Sequence, residues 1–343
     1  MKRLLCISLL FSLLLSGCSE VLPVAQQQQQ QYNATFLDLF DTVTTIVGKA
    51  ESEAEFQEKA QTVHGELLYY HQLFDIYHDY DGINNLKTVN DAAGFGPVEV
   101  EPAILLLLSD CKEYYRATGG KVNAAMGSVL KLWHDARNDS IDDPQNAYLP
   151  NAKALAEAAK HTDFDKVIID KAASTVYISD PLLRVDVGAV AKGWATQLVA
   201  EASPAGLLIS VGGNVCATGP KDDSGTPWVV GIQNPDGGDY LHTVNIFDEC
   251  VVTSGDYQRY FVVDGKAYHH IIDPDTLQPG TYWRSVTVIC SDSGLADALS
   301  TALFLMAQAE GQALLDQYGA RAMWVDAEGT ISYSPGFETL IKS

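Results

Sequence analysis

The sequence predicts an α+β fold, a mixed α/β arrangement in one globular unit, and three observations carry that reading. Segments with the apolar spacing of helices and segments with the two-residue alternation of strands are interleaved throughout residues 34–343. Residues 206–290 read as a series of short strands punctuated by turn residues, with no internal repeat. Residues 294–309 are apolar on nearly every side, the mark of a buried helix. With 343 residues, 47% of them hydrophobic, the chain is long enough for one large domain or two ordinary ones.

The chain opens with Lys2 and Arg3, an apolar run over 4–15, then Ser16-Gly17-Cys18. That is the layout of a secretory signal, and the run is too short for a comfortable transmembrane helix. Leu15-Ser16-Gly17-Cys18 resembles a bacterial lipoprotein processing box, in which Cys18 is lipidated and becomes the first mature residue. An ordinary signal with a chance cysteine is the alternative. Residues 1–17 are therefore expected to be a signal peptide and residues 18–33, with glutamine at every position of 26–31, a flexible tether. The expected location is the extracytoplasmic side of a bacterial membrane. Cys6 leaves with the signal, so Cys111, Cys216, Cys250 and Cys290 remain beside the lipidated Cys18. They show no CxxC spacing, which argues against zinc; an exported protein permits disulfides, although Cys290 sits in an apolar run and reads as core.

Residues 34–48, rich in threonine and valine, predict a strand, and 51–74 a helix whose face runs through Leu67, Leu68 and His71 to Phe74. Tyr77, just past that helix, is either a core aromatic or a ring presented to a planar ligand. Residues 102–118 predict a helix, with Pro102 at its start and Gly119-Gly120 as its stop. The following Lys121-Val122-Asn123-Ala124-Ala125-Met126-Gly127 suits either a close backbone approach to a ligand or tight packing between elements. A helix over 152–161 and strands over 166–169 and 175–178 come next. Residues 182–187 read as a strand that turns at Gly188 and hands over to a helix over 191–202. Asp264-Gly265 is a two-residue hairpin signal between strands 260–263 and 267–272. Strands over 284–290, 322–325 and 330–332 complete the pattern.

A formal net charge of −22, from 22 basic and 44 acidic residues, argues against non-specific nucleic-acid binding. A phosphate-bearing ligand would need a local site against that global field, and a divalent cation would relieve the conflict. Asp297 and Thr301 are four apart on the apolar helix and so share one face. Either Asp297 is a first-turn carboxylate with Thr301 bonding back to a carbonyl, or the two are hard oxygen ligands suited to Mg2+. In Tyr268-His269-His270-Ile271-Ile272-Asp273-Pro274, adjacent histidines in a strand point to opposite faces, so at most one enters a given site. Such a histidine is either a satisfied structural residue or a proton acceptor.

Taken together, Val185-Asp-Val-Gly-Ala-Val-Ala-Lys-Gly-Trp-Ala195, Leu208-Ile-Ser-Val-Gly-Gly213, Thr253-Ser-Gly-Asp-Tyr-Gln-Arg-Tyr260, His270-Ile-Ile-Asp-Pro274 and Ala296-Asp-Ala-Leu-Ser-Thr-Ala302 resemble the ordered motifs of the ApbE-type FAD:protein FMN transferases. With Asp41-Thr42 and Phe74-Asp75-Ile76-Tyr77, the resemblance spans the chain from about residue 35. It implies a T-fold-like architecture over residues 34–343 and a Mg2+-dependent reaction in which FAD is split, FMN is joined by a phosphoester to a threonine or serine of another protein, and AMP leaves. It implies metal ligation by the side chains of Asp297 and Thr301 and the carbonyl of Ala189. Flavin-nucleotide contacts are implied for Phe40, Tyr77, Ala125, Met126, Gly127, Asp186, Lys192 and Ile271, and His270 resembles the base for the acceptor hydroxyl. The implied partners are FAD, an exported or membrane redox protein as acceptor, and a membrane reached through the lipid. Two departures stand out: Phe40-Asp41-Thr42 where many members have Met-Gly-Thr, and Gly82-Ile83-Asn84-Asn85 where Ser-Glu-Ile is usual. The motifs do not separate transfer from hydrolysis of FAD to FMN and AMP, and a non-catalytic FAD-binding lipoprotein is the reading from another class.

Overall fold

The computed structural model describes residues 29–342. The expected signal peptide and Cys18 lie outside the described residues. Eight strands form the central sheet, and their spatial order follows the sequence: Gln30–Leu39, Thr42–Ala50, Leu207–Val211, Asn214–Ala217, Cys250–Gly255, Ser285–Cys290, Arg321–Val325 and Ile331–Tyr333. Each is antiparallel to its neighbours.

Both faces of this sheet are covered, and one strand shows how. Every residue of Ser285–Cys290 is buried. Val286, Val288 and Cys290 point into the larger core with residues of the helices Glu53–Phe74, Ala191–Ala202 and Ser293–Phe304; Ile289 points the other way, onto Trp228, Val230, Ile246 and Phe337. The second face is roofed by a hairpin of Trp228–Ile232 and His242–Ile246. Double coverage explains why this strand is apolar along its length instead of alternating. Each Val or Ile buried this way contributes about 1.5–3 kcal/mol. A third, smaller core joins the helix Gly127–Asp142 to the hairpin Tyr260–Val263 with Lys266–His269, through Trp133, Phe261 and Ile272. Ile271 belongs to the large core and Ile272 to the small one, so the segment from His270 runs along their seam.

Several elements differ from the sequence expectation, each for a local reason. The single strand expected over 34–48 is two strands joined at Phe40 and Asp41, both with φ 51°. Glycine usually marks such a turn, and none is present. The first strand starts at Gln30, opposite Ala50, so its pairing reaches into the glutamine stretch expected to be tether. No ladder forms over 182–187; Arg184 makes one isolated parallel bridge to Met126. Gly127 opens a helix that runs to Asp142, and a short helix Leu86–Asp91 is capped by the Asn85 side chain accepting from Thr88 N–H. The apolar helix ends at Phe304, and a separate helix Gln308–Tyr318 stops at the left-handed Gly319. The Asp264-Gly265 turn is as expected, with φ 49° and 78°. Cys111, Cys216, Cys250 and Cys290 are buried free thiols.

Candidate functional site

The segment expected to be a strand before Gly188 is held in extended form by borrowed partners. The side chain of Asn90 donates to Val185 O at 2.9 Å and accepts from Val185 N–H at 2.7 Å, as a neighbouring strand would. On the other side Asp186 N–H donates to Ala124 O and Gly127 N–H to Arg184 O. A Cβ on Gly127 would stand 2.6 Å from Arg184 O, so glycine is required for this contact. The two loops singled out in the sequence, 121–127 and 184–188, are thus one structure. Asp186 then accepts from Gly188 N–H at 2.9 Å, closing the turn that leads into the helix Ala191–Ala202.

That helix meets Ser293–Phe304 at its third residue. The N–H of Gly193 donates to Asp297 Oδ2 at 2.9 Å. As the third residue of a helix capped at Val190, Gly193 carries one of the first-turn N–H groups that no carbonyl of the helix can take, and Asp297 satisfies it. Asp297 is only 5% exposed, and burial raises its pKa against the opposing pull of Lys192 and the Gly193 bond. Lys192 Nζ stands 3.6 Å from Asp297 Oδ2 and 3.3 Å from Gly188 O. Thr301 follows one turn after Asp297, with Oγ1 3.4 Å from Ser254 Oγ. Among the described residues no cluster of three or more His, Cys, Asp or Glu is placed to hold a metal. The donors that the resemblance implies, the Asp297 carboxylate, the Thr301 hydroxyl and the Ala189 carbonyl, are all hard oxygens, a chemistry that suits Mg2+.

His270 follows the strand Lys266–His269 instead of lying in it, so the alternation expected for the histidine pair does not apply. His269 is structural: Nε2 bonds Gly280 O, and Nδ1 accepts from Ile271 N–H. Among the described residues His270 Nδ1 is enclosed without a hydrogen-bond partner, an orphan that calls for a ligand or a chemical role. Burial, then the charges of Arg259 and Lys192, pull the His270 pKa down to about 3 from 6.5. The unfolded chain therefore binds the extra proton between those values. Stability from this ring is full above about pH 6.5 and is lost as pH falls toward 3. His270→Gln is expected to flatten the wild-type decline of melting temperature over that window; an unchanged slope would remove His270 from the enclosed setting described.

Tyr77 is 56% exposed, and its hydroxyl bonds His134 Nδ1 at 2.9 Å. Burial of the His134 ring lowers its pKa. That exposure sets aside the core reading of Tyr77, and His134 on the helix Gly127–Asp142 holds its hydroxyl. Phe40 is partly buried against the large core, edge-on to His71, with its N–H bonded to His71 Nδ1. Ala125, Met126 and Ile271 are buried at 0%, 4% and 7% exposure, so they offer little more than backbone to a ligand. Sequence reasoning missed Asn90, His134, Arg137 and Arg259; only Arg259 lay in a motif, Thr253-Ser-Gly-Asp-Tyr-Gln-Arg-Tyr260.

Comparison with known proteins identifies the family. Residues 40–324 match the ApbE family model. The chain is 33% identical over 271 residues to a FAD:protein FMN transferase of Treponema pallidum, covering 73% of each chain. It is 31% identical to one of Klebsiella pneumoniae, covering 72% of this chain and 77% of that one. The crystal structure of an ApbE protein from Thermotoga maritima superposes with a TM-score of 0.79 at 29% identity, covering 92% of this chain and 100% of the other. The chain is a transferase of the ApbE family.

Proposed function

We propose that this protein transfers FMN from FAD to a threonine or serine hydroxyl of an acceptor protein and releases AMP, with Mg2+ at Asp297, Thr301 and the Ala189 carbonyl. The observation that carries the metal part is the Asp297 carboxylate, 5% exposed and one helical turn from Thr301, whose charge among the described residues is met by the Gly193 N–H at 2.9 Å and the Lys192 ammonium at 3.6 Å. The named activity of the relatives supports the substrate and the acceptor class. When bound, the cation supplies charge neutralisation on the diphosphate.

The chain's own residues do the rest. Tyr77, steadied by His134, and the backbone of 124–127 and 186–188 receive the flavin nucleotide. The acceptor oxygen forms a bond to the FMN phosphorus while the anhydride bond to AMP breaks, and the hydroxyl proton passes to the neutral imidazole of His270. In the free protein that ring is a weak base, because burial first and then the charges of Arg259 and Lys192 disfavour its charged form. A bound diphosphate offsets those cations and raises its basicity. The acceptor is proposed to be an exported or membrane redox protein, met at a membrane to which Cys18 tethers the enzyme.

The test is co-expression with a candidate acceptor domain, reading covalent flavin fluorescence on a denaturing gel together with AMP. The expected result is a fluorescent acceptor band and one AMP per flavin attached. AMP with FMN left in solution would make the protein a FAD pyrophosphatase, and FAD binding without AMP would make it a flavin-binding lipoprotein.

A further inference from the structure

The roof hairpin leaves part of the sheet's second face uncovered, and a groove of about 650 Å3 runs there. Its floor is a row of cross-strand neighbours: Thr45 faces Ser210, Ser210 faces Val215, and Val215 faces Val251. Val47, Leu208 and Thr253 extend it, each two residues along from a member of that row and so on the same face. The wall is built differently. Val229, Val230 and Gly231 are successive residues of Trp228–Ile232, and all three line the groove. Neighbours in a strand point to opposite faces, so a groove that touches three in a row meets the strand's edge, where backbone N–H and C=O groups lie. Among the described residues this strand pairs only with His242–Ile246, which leaves that edge unpaired. The strand holds no charged residue and no proline, the usual guards of an open edge.

The groove leads to the candidate site. Thr253 precedes Ser254, whose Oγ is 3.4 Å from Thr301 Oγ1. Gln258, also on the groove, precedes Arg259, whose carbonyl accepts from His270 N–H at 3.1 Å. Thr253 and Ser254 point to opposite faces, so a chain lying in the groove reaches Thr301 only over the end of the sheet. Gly213 forms the rim and offers no obstacle: a Cβ added there would meet one atom, Gln258 Nε2, at 4.0 Å. None of the groove's side chains is charged, in a chain where 19% of residues are. A polyanion finds no counter-charge here, whereas a neutral peptide needs none.

We infer that this groove docks the acceptor protein, which lays an extended, uncharged segment next to its reactive hydroxyl along the edge of Trp228–Ile232 as an added strand. The inference rests on the transfer reading above. Main-chain hydrogen bonds to the edge supply affinity with little demand on sequence. The hydroxyls of Thr45, Ser210 and Thr253 and the methyls of Val47 and Val215 select small, neutral side chains on the facing side.

The test uses the full chain co-expressed with the candidate acceptor domain, and the purified pair. Ser210→Glu puts a charge on the floor, where a docked segment would bury it. It is expected to raise the KM for the acceptor by about tenfold or more, with kcat, FAD affinity and melting temperature unchanged. A photo-reactive benzoylphenylalanine in place of the exposed Val229 leaves the floor intact. It is expected to cross-link the acceptor in an adduct that carries covalent flavin, and the same label at Phe95, exposed and outside the groove, is expected to give none. Flavin-labelled acceptor with no adduct at Val229, or with an unchanged KM in folded Ser210→Glu, overturns the docking assignment and leaves the transfer reading standing. A cross-link within the chain or to a second copy gives the groove another occupant and overturns it as well. Wild-type protein that attaches flavin to no acceptor overturns the transfer reading and the assignment with it.

Discussion

Asp297→Asn is expected to lower metal-dependent FMN transfer by about a hundredfold or more while making the metal-free protein more stable. The side chain is 5% exposed, and its charge is met only by the Gly193 N–H at 2.9 Å and the Lys192 ammonium at 3.6 Å. A buried carboxylate so sparsely compensated is unfavourable in the empty protein. Asparagine keeps an acceptor for Gly193 and removes the charge, so a gain of about 1 kcal/mol is expected. The same change removes the one anionic donor from a site otherwise built of a hydroxyl and a carbonyl, and charge stabilisation of this kind is worth several kcal/mol in a phosphoryl transfer. Thermal melts with and without Mg2+ separate the two effects. Wild type should gain stability with added metal and the variant should not. Full turnover in the variant would sink the metal assignment.

Gly193→Ala is expected to be the most damaging single methyl in the protein. Its Cβ would lie 2.2 Å from Ser293 O, 2.6 Å from Asp297 Cβ and 2.9 Å from Ser293 C. These are largely backbone atoms of the facing helix, so relief requires the two helices to separate. Overpacking of this kind costs about 1–3 kcal/mol. Separation also stretches the Gly193 to Asp297 bond and shifts the Asp297 carboxylate, so transfer should fall even where the protein stays folded. Denaturant unfolding and rates at saturating FAD check the two parts. A variant as stable and as active as wild type would show that the helices are not held at this distance in solution.

How much of this was legible in the sequence depends on where the partners come from. The helix over 51–74 and the buried helix after 293 carry their own periodicity, and the Asp264-Gly265 hairpin carries its own turn chemistry. The 182–187 segment looked like a strand because its residues suit extended backbone, but its partners are the Asn90 side chain and the 124–127 loop, which no local pattern announces. The turn at Phe40 and Asp41 was hidden because its left-handed residues are not glycine. Gly193 lay inside a quoted motif, but the need for glycine there comes from contact with the facing helix, 104 residues away in sequence at Asp297.

The bond from Gly193 to Asp297 spans 104 residues of sequence. A chain emerging from the ribosome therefore presents the glycine, the lysine and the 184–188 turn long before the carboxylate exists to meet them. Closing so wide a loop is slow compared with forming local helices. The proposed metal site therefore stays incomplete until the helix Ser293–Phe304 has been made and packed. On the proposed reading, flavin transfer becomes a report on completed folding.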